Sequence, residues 1–159
     1  MTKTLTTIEK TGLKKRLMLL CTQLIEQRIT AISAAMDNAQ ANANAEEKSS
    51  AGDKYETSRA MSHLEKDMQS RQLAANQIEL ANLFKIDCSE IYDSPIPGSY
   101  IRCQECSFFI ASGLGKVQFE GETIYLLSPG APLAKLLFPK KRGSVFSFNK
   151  TEMNIEDIF

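Results

Sequence analysis

The chain contains no tryptophan and a single histidine, His63. It also has no surplus of charge: 19 Lys and Arg balance 19 Asp and Glu. Duplex binding rests on a basic excess, so free nucleic acid is not expected as the main partner. No apolar run approaches the roughly 20 residues of a membrane span, and the mean hydropathy is −0.23. The run Leu17–Cys21 behind Lys14-Lys15-Arg16 has the outline of a lipoprotein signal. Its apolar part is too short, Glu9 and Gly12 precede it, and it continues a helical pattern. The four cysteines, Cys21, Cys88, Cys103 and Cys106, do not form a disulfide framework of the kind that small secreted domains need. The cytoplasm is the expected compartment. Nucleophile elbow, phosphate-binding loop and catalytic triad patterns are all missing, so a self-contained enzyme is not expected.

What is present is two long helical patterns and a β-rich tail. From Ile8 to Ala45, Met18, Cys21, Ile25, Ile29, Ile32, Met36, Ala39 and Ala43 recur at steps of three and four, the signature of one apolar helix face. Leu13, Leu17, Leu20 and Leu24 add a second stripe at the N-terminal end, suited to packing against the tail. From Asp53 to Leu83, Met61, Leu64, Met68, Ala75 and Ile78 make the corresponding stripe. The joint Lys48–Gly52 reads as a turn, with Asp53 as N-cap and Glu56 three residues on. A joint so short makes the two helices antiparallel. About 30 residues of helix extend about 45 Å, so the pair reads as a stiff rod. Residues Met1–Thr7 read as a frayed end.

Ser94-Pro95-Ile96-Pro97-Gly98 can neither continue a helix nor lie in a central strand, and 85–98 reads as a linker. Short β-type runs follow at Tyr100–Cys103, Ser107–Ala111, Lys116–Phe119, Thr123–Leu127, Ser144–Phe148 and Asn154–Ile158. Pro132–Leu137 reads as a short helix with Pro132 in its first turn. The predicted class is α+β: residues 1–84 an antiparallel coiled-coil hairpin, and 99–159 a small antiparallel β domain with one short helix.

Glu46, Glu47, Asp53 and Glu56 crowd the joint. Carboxylates are the natural ligands of Mg²⁺, which often shares its site with phosphates, and a rod carrying them is able to complete the coordination of a metal held by another protein. Helix capping and solvation account for the same residues without any such role. Cys103-x-x-Cys106 is one pair where a structural zinc site needs two, and it lies between strands rather than at the start of a helix where a thiol is activated. Lys140-Lys141-Arg142-Gly143 is a basic turn suited to phosphate or an acidic protein surface, or simply to a soluble sheet edge.

Three stretches together resemble the Gre transcription elongation factors, which act on bacterial RNA polymerase. They are the order of parts, the segment Gly52-Asp53-Lys54-Tyr55-Glu56-Thr57-Ser58-Arg59-Ala60, and the segment Ile124–Gly143. The last carries Ser128-Pro129, Leu136-Leu137, Lys140-Lys141 and Gly143 in the order of the family's Ser-Pro, short helix, Gly-Lys-Lys and Gly-Asp pattern. The resemblance implies an FKBP-like C-terminal domain that binds the polymerase and a coiled coil inserted through its secondary channel. Acidic residues at the tip then assist an Mg²⁺ held by the polymerase, and backtracked RNA is cleaved. It further implies no cofactor and no catalytic residues of the chain's own, no membrane, nucleic acid met only within the transcription complex, and a monomer. Asp53, Glu56, Glu46 and Glu47 are the metal-assisting candidates; Tyr55, Ser128, Pro129, Lys140, Lys141 and Arg142 are the partner-binding candidates.

The tip departs from the family. There an Asp and a Glu stand three residues apart before the tyrosine; counting back from Tyr55, those places hold Lys48 and Ala51. Either the neighbouring carboxylates substitute, or the chain occupies the channel without stimulating cleavage. From other classes, the tail is also compatible with a protein-binding or prolyl-isomerase-like module whose coiled coil is a dimerisation arm, although many such isomerases line their pocket with a tryptophan. A small cysteine-dependent enzyme would use Cys88, Cys103 or Cys106.

Overall fold

A computed structural model describes residues 3–46 and 52–159, with backbone only at 43, 45, 46 and 52–55. The chain is α+β. Helix α1 (Thr7–Glu46) and helix α2 (Gly52–Phe84) precede strands β1 (Tyr100–Cys103), β2 (Ser107–Ile110), β3 (Gly115–Phe119) and β4 (Glu122–Leu127). Helix α3 (Pro132–Leu137) and strands β5 (Val145–Phe148) and β6 (Thr151–Ile158) complete it. Two compact units result: Gln23–Ala81, within which α1 and α2 contact each other, and Met1–Thr22 together with Asn82–Phe159.

In the second of these units the strands form one six-stranded sheet in the order β3-β4-β2-β1-β6-β5. The sheet is mixed. The expected antiparallel pairing holds for four neighbours, but β2 and β4 run parallel, from Ser107 opposite Ile124 to Ile110 opposite Leu127. The cause lies in β3, which leaves β2, skips to the outside and returns as a hairpin onto β4. That hairpin turns at Glu120 and Gly121, both at positive φ (50° and 83°), where glycine is unstrained. Long β6 serves two neighbours, its first half β5 and its second half β1.

All four residues of β2 are buried. A strand so placed is covered on both faces, which is why Ser107-Phe108-Phe109-Ile110 does not alternate with polar residues. Phe108 and Ile110 belong to the main core with Ile101, Leu137, Phe146, Met153 and Ile155. Ring contacts organise that face, Phe108 lying 5.3 Å from Phe148 and 5.6 Å from Tyr125 between centroids. On the opposite face, buried Tyr100 stacks on Phe159 at 4.9 Å. There the first turns of α1 are fastened: Lys10 pairs with Asp157 at 2.8 Å, and the Arg16 guanidinium forks onto the Glu120 carboxylate at 2.6 and 3.0 Å. Leu13 and Leu17 are buried in the same unit, as the second leucine stripe predicts.

Two local expectations need correction. The N-terminal end of α1 is capped rather than frayed: Glu9 N–H donates to Thr6 Oγ1 at 3.2 Å and Thr6 N–H to a Glu9 carboxylate oxygen at 2.8 Å. This reciprocal pair satisfies two donors that a helix start otherwise leaves open, and Thr6-x-x-Glu9 was visible in the sequence. At the other end of the joint, α2 already begins at Gly52. Asp53 therefore stands in the first turn and is not the N-cap. The expected turn at 48–52 falls largely on 47–51, outside the described residues.

The larger correction concerns α2. On α1 the predicted stripe is sheltered: Cys21 and Ile25 are buried, and Ile29, Ile32, Met36 and Ala39 are half-buried. On α2 the predicted stripe faces solvent, with Met61 65%, Leu64 70%, Met68 59% and Ile78 62% exposed. Glu79 and the buried Leu83 apart, the sheltered positions of α2 are instead Ser58, Ser62, Gln69, Leu73, Asn76 and Leu80. At 100° per residue these lie nearly opposite the apolar stripe. Both faces have helical periodicity, so periodicity by itself did not choose between them. The choice has a cost, because the Gln69 side-chain oxygen is buried without a partner.

Candidate functional site

The candidates fall into two groups, one in each compact unit. The acidic group lies in the helical unit. Glu46 is the last residue of α1, and Asp53, Tyr55 and Glu56 occupy the first turns of α2. Glu56 is exposed. Of Glu46, Asp53 and Tyr55 only the backbone is described, and Glu47 lies outside the described residues. The last residue of α1 and the first turns of α2 thus carry three of the four predicted carboxylates. At the start of α2 a carboxylate is favoured, since the unpaired N–H groups of the first turn leave partial positive charge there.

The second group lies around α3. Ser128 and Lys140 are half-buried, while Pro129, Lys141 and Arg142 are exposed. Ser128 accepts from Ala131 N–H through its carbonyl at 3.0 Å, which sets the turn into α3. The basic turn is built by backbone geometry: Lys140 N–H donates to Leu137 O at 2.8 Å, Lys141 N–H to the Ser144 hydroxyl at 2.9 Å, and Gly143 N–H to Ile155 O at 2.8 Å. Gly143 sits at φ 86°, a conformation that disfavours any side chain. Arg142 reaches Asp157 only at 4.0 Å, so its charge is largely available to a partner.

Sequence reasoning missed the apolar half of this surface. Leu136, Phe138 and Val145 are 46%, 63% and 46% exposed and flank the three cations in sequence. Helix α3 buries Ala134 and Leu137, and its neighbours Leu136 and Phe138 consequently point away from the core. Sequence reasoning uses Leu136-Leu137 only as part of the segment Ile124–Gly143 and does not separate the buried Leu137 from the exposed Leu136.

The cysteines lack the environment of a reactive thiol. Cys103 and Cys106 close the tight β1–β2 turn, with Cys103 N–H donating to Cys106 O at 3.1 Å. Burial pushes the Cys103 thiol up to about 12 and raises that of Cys106. Burial likewise pushes Cys21 up to about 12, and the neighbouring Cys88 adds to the effect. All are thus protonated at neutral pH, opposite to the low-pKa thiols that act as nucleophiles. Among the described residues no group of three or more His, Cys, Asp or Glu side chains is arranged to hold a metal ion. His63 is an exposed residue of α2, and no described helix is long and apolar enough to cross a membrane.

One buried cation stands apart. Lys14 is completely shielded from solvent. Its ammonium donates to Glu90 O at 2.6 Å and lies 4.5 Å from the centre of the Tyr92 ring. Burial pulls its pKa down, while Cys88, Asp87 and Glu90 oppose the shift. Lys14 thereby ties residues 85–98 to α1; this segment has neither helix nor strand of its own.

Compared with known proteins, the chain matches no family model, no curated protein and no solved structure.

Proposed function

We propose that the chain is a transcription regulator of the Gre type that acts on RNA polymerase through the enzyme's secondary channel. In this reading α1 and α2 form an antiparallel coiled-coil hairpin with its acidic tip near residues 46–56. The sheet-bearing unit is an FKBP-like module that docks on the polymerase, and the protein works in the cytoplasm. The observation that carries the reading is the pair of helices, of 40 and 33 residues, with Glu46 closing the first and Asp53 and Glu56 in the first turns of the second.

Such an apex presents carboxylates to an Mg²⁺ that the polymerase already holds. Extra oxygen ligands complete the coordination of a metal that retains waters and phosphate oxygens, and so position a water for attack on the phosphodiester. Asp53 and Glu56 are the first residues assigned to this contact, with Glu46 and Glu47 beside them and Tyr55 at the channel wall. The chain supplies neither metal nor catalytic residue of its own. Docking falls to the segment 136–145, which exposes Leu136, Phe138 and Val145 along with Lys141 and Arg142 and half-exposes Lys140, together with Ser128 and Pro129. Exposed apolar side chains rimmed by charge are the pattern of a protein interface.

The test uses stalled, backtracked complexes of the matching polymerase. Adding the protein should shorten their transcripts, and Asp53→Ala with Glu56→Ala should reduce that activity by at least about tenfold, as loss of metal-assisting ligands does. Unchanged cleavage in the variant removes these residues from the site. Binding of the unaltered protein without any cleavage assigns it channel occupancy alone.

A further inference from the structure

The exposed stripe of α2 is a seam with a register. Met61, Leu64, Met68, Arg71, Ala75, Ile78 and Asn82 follow one another at alternating steps of three and four, the a and d positions of three heptads. All of them are exposed, and they lie on the face of α2 away from its sheltered positions. A coiled-coil seam that its own hairpin does not use calls for another helix of the same kind.

We infer that this seam pairs with the same seam of a second copy, antiparallel, about a two-fold axis between residues 69 and 70. The polymerase reading implies a monomer at work, so under that reading the dimer must open before the helices enter the channel. Charge sets the orientation of the pair. In a parallel pair with both copies in register, Arg71 faces Arg71, and like charges within a seam repel. In the antiparallel pair Met61 meets Ile78, Leu64 meets Ala75, and Met68 meets Arg71 of the other copy. Each Arg71 then lies beside the other copy's Asp67, the residue immediately before Met68. In this arrangement each charge of the seam lies beside an opposite one, and a two-fold axis makes the contact twice. Within one copy Asp67 and Arg71 hold no ion pair among the described residues. A lone charged residue in a hydrophobic seam fixes orientation and register at some loss of affinity, so the dimer is reversible.

Sedimentation of the full chain over a wide concentration range reads the result directly. The unaltered protein should pass from monomer to dimer and no further. Leu64→Glu should raise the dimer Kd by at least about tenfold, because a carboxylate would be buried in the seam. Asp67→Arg and Arg71→Glu should each weaken the dimer by about tenfold, while the two together restore it to within about twofold, as exchanged partners of one ion pair do. The altered residues are exposed, so helix content by circular dichroism should stay constant. If Leu64→Glu nevertheless disturbs the helix, the charge exchange decides alone. A monomer at every concentration overturns the inference, as does a dimer indifferent to Leu64→Glu or a double variant no better than the singles. A monomer whose Leu64→Glu variant loses binding to core RNA polymerase assigns the seam to that enzyme, and overturns it as well.

Discussion

At the scale of single residues, burial governs ionisation. Cys21 and Cys103 ionise only near pH 12 in the folded chain, against an ordinary thiol value of 9.0. Burial raises the Tyr100 phenol also, and its donation to the Glu122 carboxylate at 2.9 Å adds to the rise. The folded state therefore holds protons that the unfolded chain releases, and stability falls as pH rises. The loss begins near the unfolded thiol value and approaches about 1.4 kcal/mol per pH unit for each thiol. Lys14 acts in the opposite sense. Its folded pKa is below 10.5, so it adds stability as pH climbs towards that value, but the buried thiols and phenol outnumber it. Urea unfolding at pH values from neutral to about 11 should show a decline that Cys103→Ala makes shallower. A flat or rising profile contradicts this assignment of buried protons. A second residue-scale expectation concerns the cap. Thr6→Ala removes the side chain that receives Glu9 N–H and should cost about 1 kcal/mol, seen as faster amide exchange in the first turn of α1.

At the scale of elements, the two faces of α2 give the sharpest contrast. Ile25 of α1 is 1% exposed and Leu64 of α2 is 70% exposed. Ile25→Ala should lower stability by about 2–5 kcal/mol. Leu64→Ala should change it by less than about 0.5 kcal/mol in dilute protein. Equal effects would mean that the apolar stripe of α2, and not its Ser58–Gln69–Leu80 face, lies against α1.

The same contrast explains what the sequence made legible. Every strand was placed within a few residues, because Gly121, Gly143 and the proline-rich segment punctuate short β-type runs. Helix boundaries were equally clear from the composition at Glu46–Gly52. The sheltered face of α2 was not, because two stripes of helical period coexist and only tertiary contact selects one. The parallel pairing of β2 with β4 was hidden too, since local sequence records turns and not which neighbour a strand finds. Of the candidate site, the charged residues were legible by type, and the exposed Leu136, Phe138 and Val145 were not. Nothing local distinguishes an apolar residue kept for a partner from one kept for the core.

At the scale of the whole molecule, the chain comprises a helical unit with acidic residues at its helix ends and a unit with a packed sheet core. The proposed division is delivery of charge by the first and docking by the second. The measurement that tests it most directly is co-purification of the full chain with its cognate core RNA polymerase at low salt. The account predicts a stable complex that Phe138→Ala with Lys141→Glu weakens by at least about tenfold, through loss of an apolar anchor and reversal of a rim charge. The result that contradicts it is the absence of any complex between the unaltered protein and that polymerase.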